Sequence, residues 1–478
     1  MWALLLIPLA LVIFLGVIII RAVRFSPKPQ MATDDEAISF DHDKAAQDLC
    51  SLVRCKTVSY KDHALEDNAE FEKLIDLLPS LYPNVARVCE FTRLPDRALL
   101  FRWKGKSDGA PAVMMAHYDV VPVNEDAWEL PPFEAIIKDG CIWGRGTLDT
   151  KVTFNGILFS ADHLIAEGFV PECDIYFAFS GGEEVNGEGA IRIVEYFEQN
   201  KIEPAFVIDE GGAVVENVFP GVKQACGLIG IAEKGMMDVK YTVRSNGGHA
   251  SAPKPNAPID RLSTACLSVL NNPFKAQLTP PVAKMFDTLG RHSSFVYRII
   301  FANIKIFMPV LDMICKKSGG ELNALMRTTV AFTQASGSAA SNVIPPEASM
   351  VSNIRLNPND TVDSALEYLR ATVGDDSVQI SCENGMNPSR ISTTDCEGWN
   401  KVANAVASTW KGCIVSPYLM VQCSDSRHYG RISDRVYRFS AMDLTSEERA
   451  TIHGNNEKIR LEALNKTVEF YIRLMKKC

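Results

Sequence analysis

The stretch SGGEEVNGEGA, residues 180–190, sets Glu183 and Glu184 side by side among glycines. Two carboxylates that close repel each other in a folded site. Adjacent acids on a surface loop are normally just solvated, so the flanking sequence decides. Upstream, CDIYFAF (residues 173–179) is a short apolar, aromatic run that predicts a buried strand. Downstream, EGAIRIVEYFEQN carries helical spacing. The two acids therefore fall just past the C-terminal end of a strand and before a helix, where open α/β sheets bind their ligands.

The same grammar recurs along the chain. In PAVMMAHYDVV an apolar run leads into His117 and Asp119, and in EPAFVIDEGG another leads into Asp209. WGRGTLDTK places Asp149 in a glycine-bounded turn. Each run ends in a side chain of a metal-ligating type, and three strand ends and a turn with this property make a joint signal that one alone does not.

Composition sets the limits. At 478 residues the chain is long enough for two domains. It is 47% hydrophobic and 22% charged, as globular proteins are. A net charge of −9, without a basic stripe or an RNA-binding motif, argues against a nucleic-acid partner. Thirteen cysteines without CxxC spacing speak against a disulfide framework or cysteine-ligated zinc, and fit a reducing compartment better than an oxidising one.

Residues 2–20, WALLLIPLALVIFLGVIII, contain no charged side chain. At about 1.5 Å per residue such a run just crosses a hydrocarbon core of roughly 30 Å. A cleaved signal would want a basic start and a shorter apolar core, whereas here Arg21, Arg24 and Lys28 follow the run. The reading is a single-pass anchor over residues 1–25, with a linker at 26–37. By the positive-inside rule, the catalytic part would face the cytoplasm.

Beyond the linker, apolar runs alternate with helical patterns, as in βαβ units around a mostly parallel sheet, over residues 38–231. From residue 232 to 384 the character changes to an inserted α+β unit: MMDVKYTVRS, GGHASAP, a helix, then TTVAFTQA, SNVIPP and ASMVSNIRL. Within it, residues 272–326 form a long insertion whose Arg298, Asn303 and Lys305 oppose a second membrane span and point to packing within the domain. Residues 385–478 return to the first domain.

Taken in order, HYD, GRGTLDTK, SGGEEVNGEGA, VIDEGG, GGHASAP, SNVIPP, SDSRHY and IHGNNE resemble the zinc peptidases that include aminoacylase, carboxypeptidase S and succinyl-diaminopimelate desuccinylase. SDSR and YRFS are most similar to the carboxypeptidase S and N-acyl-amino-acid amidohydrolase branch. The resemblance runs from about residue 40 to the end and is poor across 272–326. It implies a zinc-peptidase α/β catalytic domain with an inserted lid of the kind that also serves dimerisation, so a homodimer is possible.

It also implies two Zn2+ per chain, with Co2+ or Mn2+ as alternatives. Asp149 would bridge both ions, His117 and Asp209 would complete one, and Glu184 and His453 the other. Asp209 is preferred to its neighbour Glu210 by its place after the strand. Thr150 stands where many relatives carry a second acid, but the bridging role needs only Asp149. Glu183 would be the general base, and Asp119 would accept the second N–H of His117, fixing its tautomer. His249 resembles a histidine that stabilises the scissile carbonyl oxygen, supplied across subunits in dimeric members. Asn342 and Arg355 resemble substrate-holding groups, an arginine fork suiting a carboxylate. Arg427 would line the site beside Asp425 and Ser426. His42, His63, His163 and His292 lack such context. The expected substrate is a small peptide or N-acyl amino acid with a free carboxylate, cleaved by a carboxypeptidase/dipeptidase or by an N-acyl-amino-acid amidohydrolase. A non-catalytic peptide binder is disfavoured because the full ligand set and the base are present.

Overall fold

The computed structural model describes residues 2–29 and 31–478. Its central element is an eight-stranded sheet in the order Glu90–Leu94, Ala98–Trp103, Ile175–Ser180, Ala112–His117, Phe206–Val215, Val436–Asp443, Cys226–Glu233 and Ile414–Met420. The inner strands run parallel, and antiparallel pairings occur at the Ala98–Trp103 edge and between Val436–Asp443 and Cys226–Glu233.

The continuous apolar runs have a simple cause. Both sheet faces are covered, so both parities of each strand are buried. Ala112, Met114 and Ala116 enter one core with Ile175, Phe177 and Phe179; Val113 and Met115 enter another with Tyr176 and Ala178. The first core is closed by helices Lys151–Ala166, Glu397–Thr409 and Leu461–Met475, the second by Gly189–Gln199.

The inserted unit is a four-stranded antiparallel sheet, ordered Thr329–Ser336, Glu347–Leu356, Gly235–Arg244 and Gln379–Met386. Helices Pro258–Asn271 and Val362–Val373 pack on it around a separate core. This is the lid-like α+β unit expected from the sequence. The chain crosses into it at Lys234, whose buried ammonium donates to the carbonyls of Ala324 and Arg327.

A small sheet of Lys458–Arg460, Cys141–Trp143 and Ile136–Lys138 ties the Asp149 turn to the C-terminal segment that follows His453. The 272–326 insertion folds as helices Pro280–His292, Phe295–Ala302, Ile304–Ser318 and Gly320–Met326, each too short to cross a bilayer. Helix Trp2–Arg24 packs its C-terminal end against Phe295–Ala302. The segment expected as a linker is tied down rather than free: Lys28 pairs with Asp287, Asn404 donates to the Ala32 carbonyl, and Arg473 donates to the carbonyls of Asp34 and Glu36.

Candidate metal centre

Strand ends and turns deliver the acidic groups to one place. Ala112–His117 runs parallel to Ile175–Ser180 with His117 opposite Ser180. The chain then leaves the second strand into a short 3-10 turn, Glu183–Val185, closed by Asn186 in the left-handed region at φ 58°. Asp119 holds this turn. Its two carboxylate oxygens accept the backbone N–H groups of Glu183 and Glu184, each at 3.2 Å, and one also accepts the Ser59 hydroxyl at 2.6 Å. Asp119 is fully buried and lies 3.4 Å from His117 Nδ1, which is also 3.0 Å from the Asp119 carbonyl. Asp119 therefore orients an imidazole and both glutamates together.

Asp149 stands between two imidazoles. Its Oδ1 lies 2.9 Å from His117 Nε2, and its Oδ2 lies 3.0 Å from His453 Nε2. His453 Nε2 is also 3.0 Å from Glu184 Oε2. The Asp149 turn is set by Glu457, a buried residue the sequence did not single out. Its carboxylate accepts from the backbone N–H of Gly146, Leu148 and Asp149 and pairs with Arg145 at 2.6 Å. Its signal was present in IHGNNE, four residues past His453, but a carboxylate facing backbone amides looks like any other acid in a sequence. His453 itself sits at φ 59°, a left-handed conformation that non-glycine residues rarely adopt.

Asp209 is not in this cluster. Adjacent residues of an extended strand project to opposite faces, and Asp209 turns its carboxylate to the Ser426 backbone N–H at 2.9 Å. Glu210 is the residue that faces the imidazole, with Oε1 3.5 Å from His117 Nε2. Ligand-type atoms of His117, Asp149 and Glu184 lie within 4.8 Å of one another, as do those of His117, Glu183 and Glu210.

The electrostatics follow. Burial raises the carboxyls of Glu183 and Glu210 well above the usual carboxylate range, against the opposing pull of His117. Burial would raise Asp149 too, but hydrogen bonds from His117 and His453 hold it below its ordinary value. One carboxylate oxygen of Glu184 is buried with no hydrogen-bond partner, and a single nitrogen of His453 faces two carboxylates at once. One imidazole N–H cannot serve both acceptors well, so the donor set fits a cation better than a proton.

The remaining expected site residues are distributed around this centre. The SDSR loop closes one side: Asp425 accepts from the Ser180 hydroxyl, and Arg427 donates to Asn186 Oδ1 at 3.0 Å, clamping the glutamate turn. One Arg427 guanidinium nitrogen, Nη1, is buried without a partner. Arg355, on the lid strand Glu347–Leu356, reaches this loop, with Nη1 3.6 Å from Cys423 Sγ. His249 and Asn342 are exposed on the Gly248–His249/Val343–Ile344 ribbon, where Asn342 accepts from Ala250 through its backbone. Among the described residues, no hydrogen bond or ion pair joins His249 to the acidic cluster.

Residues 113–477 match the model of peptidase family M20/M25/M40. The chain is 33% identical over 473 residues to a probable carboxypeptidase S-like 2 of Dictyostelium discoideum, covering 96% of this chain and 91% of that one. It is 34% identical over 433 residues to the N-fatty-acyl-amino acid synthase/hydrolase PM20D1 of Xenopus tropicalis, covering 89% and 84%. In fold it resembles the M20 family metallo-carboxypeptidase Sso-CP2 of Sulfolobus solfataricus, at a TM-score of 0.66, 16% identity and coverage of 90% and 98%. It also resembles the Bacillus subtilis YXEP protein, a dinuclear metal binding peptidase, at 0.56, 13% identity and coverage of 91% and 97%. With the match running from the first inner strand to the last helix, the chain belongs to peptidase family M20/M25/M40.

Proposed function

We propose that the chain is a membrane-anchored, two-metal hydrolase that cleaves the amide bond beside a free carboxylate, in small peptides or N-acyl amino acids. The observation that carries this is the convergence of His117, Asp149, Glu184, Glu210 and His453, with Glu183 beside them. His117, Asp149 and Glu210 would hold one ion, and Asp149, Glu184 and His453 the other; Glu210 takes the place first expected of Asp209. Imidazole and carboxylate donors suit Zn2+, with Co2+ or Mn2+ able to substitute. When bound, such ions polarise the scissile carbonyl and acidify water.

The protein groups supply the proton path. Glu183 Oε accepts a proton from the attacking water, and the same carboxyl then delivers it to the departing amide nitrogen. Asp119, through the two backbone N–H groups it accepts, keeps Glu183 and Glu184 on their separate tasks. Arg355, Arg427 and Asn342 would hold the substrate, Arg355 from the lid (residues 232–384) and Arg427 from the catalytic part (residues 38–231 and 385–478). His249, exposed in one chain, would act at a site completed by a second copy. Helix Trp2–Arg24 contains an 18-residue stretch, Ile7–Arg24, long and apolar enough to cross a membrane. We take it as the anchor, with Arg21 and Arg24 on the cytoplasmic side.

The relative named as an N-fatty-acyl-amino acid synthase/hydrolase favours a second reading, in which the scissile amide joins an acyl chain to an amino acid. The test is a substrate screen of the full chain in detergent with Zn2+, Co2+ or Mn2+, comparing dipeptides with acetyl and long-chain acyl amino acids. Hydrolysis of at least one class, lost when the carboxylate is amidated, is expected. Metal-loaded protein that cleaves neither class would overturn the reading.

A further inference from the structure

Helix Ile304–Ser318 has its apolar residues on the wrong side for a water-facing helix. Leu311 and Cys315 point inward, as they should. The outward face carries Ile306, Val310, Met313 and Ile314, at 42%, 49%, 62% and 49% exposure. Their spacing is that of a single helical stripe, where a soluble helix would place polar residues. The preceding helix adds exposed Phe295, Val296 and Tyr297. Elsewhere beyond residue 31, Ile259, Leu267 and Leu270 share one exposed face of helix Pro258–Asn271, far in sequence from the N-terminal helix, and others stand singly, as at Leu65, Val170 and Ile391.

The neighbour of this face identifies what covers it. The N-terminal helix buries Ile18 and Ala22, and Asn303 donates to the Ile18 carbonyl at 3.2 Å. Around these two its apolar side chains are exposed, from Ile7 to Val17 and again at Ile19, Ile20 and Val23. Residues 2–17 give only about 24 Å of helix at ~1.5 Å per residue. A bilayer core needs roughly 30 Å. The span is completed only if the turn from Ile18 to Ile20 is itself inside the hydrocarbon, with Arg21 and Arg24 at its border, which carries the edge of the adjoining helices in with it.

The connection is stiff enough to fix that depth. Directly after the helix, Phe25 stacks under the Arg291 guanidinium, Arg291 donates to the Ser26 carbonyl, and Lys28 pairs with Asp287. Charge agrees with a headgroup layer. Arg298, Lys305, Lys316 and Lys317 flank the apolar stripe, against the one acid Asp312, which is already paired with Lys316 and Arg327.

We infer that residues 295–314 form an interfacial membrane-docking hairpin, lying with the Val296 and Val310/Met313 side chains in the acyl region of an anionic bilayer leaflet, beside the anchor. This rests on the anchor reading of Trp2–Arg24. Amphipathic helices in this role sit about 5–10 Å into the headgroup and acyl boundary, which would hold the catalytic domain against the membrane in one orientation rather than on a tether.

The test is photolabelling of the full chain in phosphatidylcholine/phosphatidylserine vesicles containing a phosphatidylcholine with a diazirine in its acyl chain, followed by peptide mass spectrometry. Label is expected on residues 295–314 as well as on the N-terminal helix, with only background on peptides carrying Leu65 or Ile391. Val310→Asp with Met313→Asp should abolish label on Ile304–Ser318 and leave kcat/KM unchanged. Label confined to the N-terminal helix would overturn the inference while leaving the anchor standing. Label on 295–314 with an N-terminal helix that is cleaved or unlabelled would refute the anchor, and with it the placement of the hairpin beside the anchor. Concentration-dependent protection of the face by a second copy of the chain, or label unmoved by the double substitution, would also overturn it.

Discussion

Glu183 and Glu184 share one turn, yet their surroundings separate them. Glu184 meets His453 and Asp149, whereas Glu183 joins His117 and Glu210 from the other side. Glu183→Gln should abolish turnover and leave metal near two ions per chain; metal lost together with activity would make Glu183 a ligand and reverse the assignment. The neighbouring pair at the next strand tests the parity argument. Glu210→Ala should lower bound metal, measured by elemental analysis. Asp209→Asn should keep its metal and loosen only the loop whose Ser426 N–H it accepts. Metal loss in the Asp209 variant alone would restore the reading first made from the sequence. The two readings part for a definite reason. Ligand-type residues at strand ends are visible as residue types, but which of two adjacent acids faces inward depends on where a strand twists and bulges. The register of Val436–Asp443 against Phe206–Val215 shifts just there.

Among elements, long ones were legible and short ones were not. The apolar runs that became inner strands are buried on both faces, and the helix read after Glu184 is Gly189–Gln199. The ribbon Gly248–His249 and the three-residue strands around Trp143 carry too few residues for any periodicity to register. Lys234, at the crossing from sheet to lid, shows how such a junction is held. Burial and then Arg355 lower its ammonium to about 7. A lysine with a lowered folded pKa binds fewer protons folded than unfolded, so stability rises with pH between that value and its unfolded value of about 10.4. Chemical denaturation of wild type and Lys234→Met should therefore diverge in favour of wild type as pH climbs through this window. Removing the amine leaves the Ala324 and Arg327 carbonyls without their donor, a cost of about 1–3 kcal/mol. A difference independent of pH from 7 to 10 would show that the lysine is neutral, or equally charged, in both states.

At the scale of the whole molecule, Arg355 on the lid reaches the catalytic part at Cys423, and we propose that the guanidinium placed there reads the substrate. Its strand pairs with Gly235–Arg244, which continues from Lys234, so the guanidinium is carried by the element that joins the two parts. It reaches Cys423 on the same loop that supplies Ser426 to Asp209 and Arg427 to the glutamate turn. A substrate carboxylate placed there would meet a guanidinium from each side of the cleft. A charge-assisted pair of this kind contributes about 1.5–3 kcal/mol, roughly ten- to a hundredfold in specificity. Arg355→Met should therefore lower kcat/KM for free-acid substrates by at least about tenfold. It should matter far less for the same substrates with the carboxylate amidated, which begin as poor ones. If closure of the lid depends on the contact, kcat will fall with affinity. Equal losses on acid and amide substrates would mean that Arg355 holds the lid in place, and that Arg427, with its unpartnered guanidinium nitrogen, reads the carboxylate.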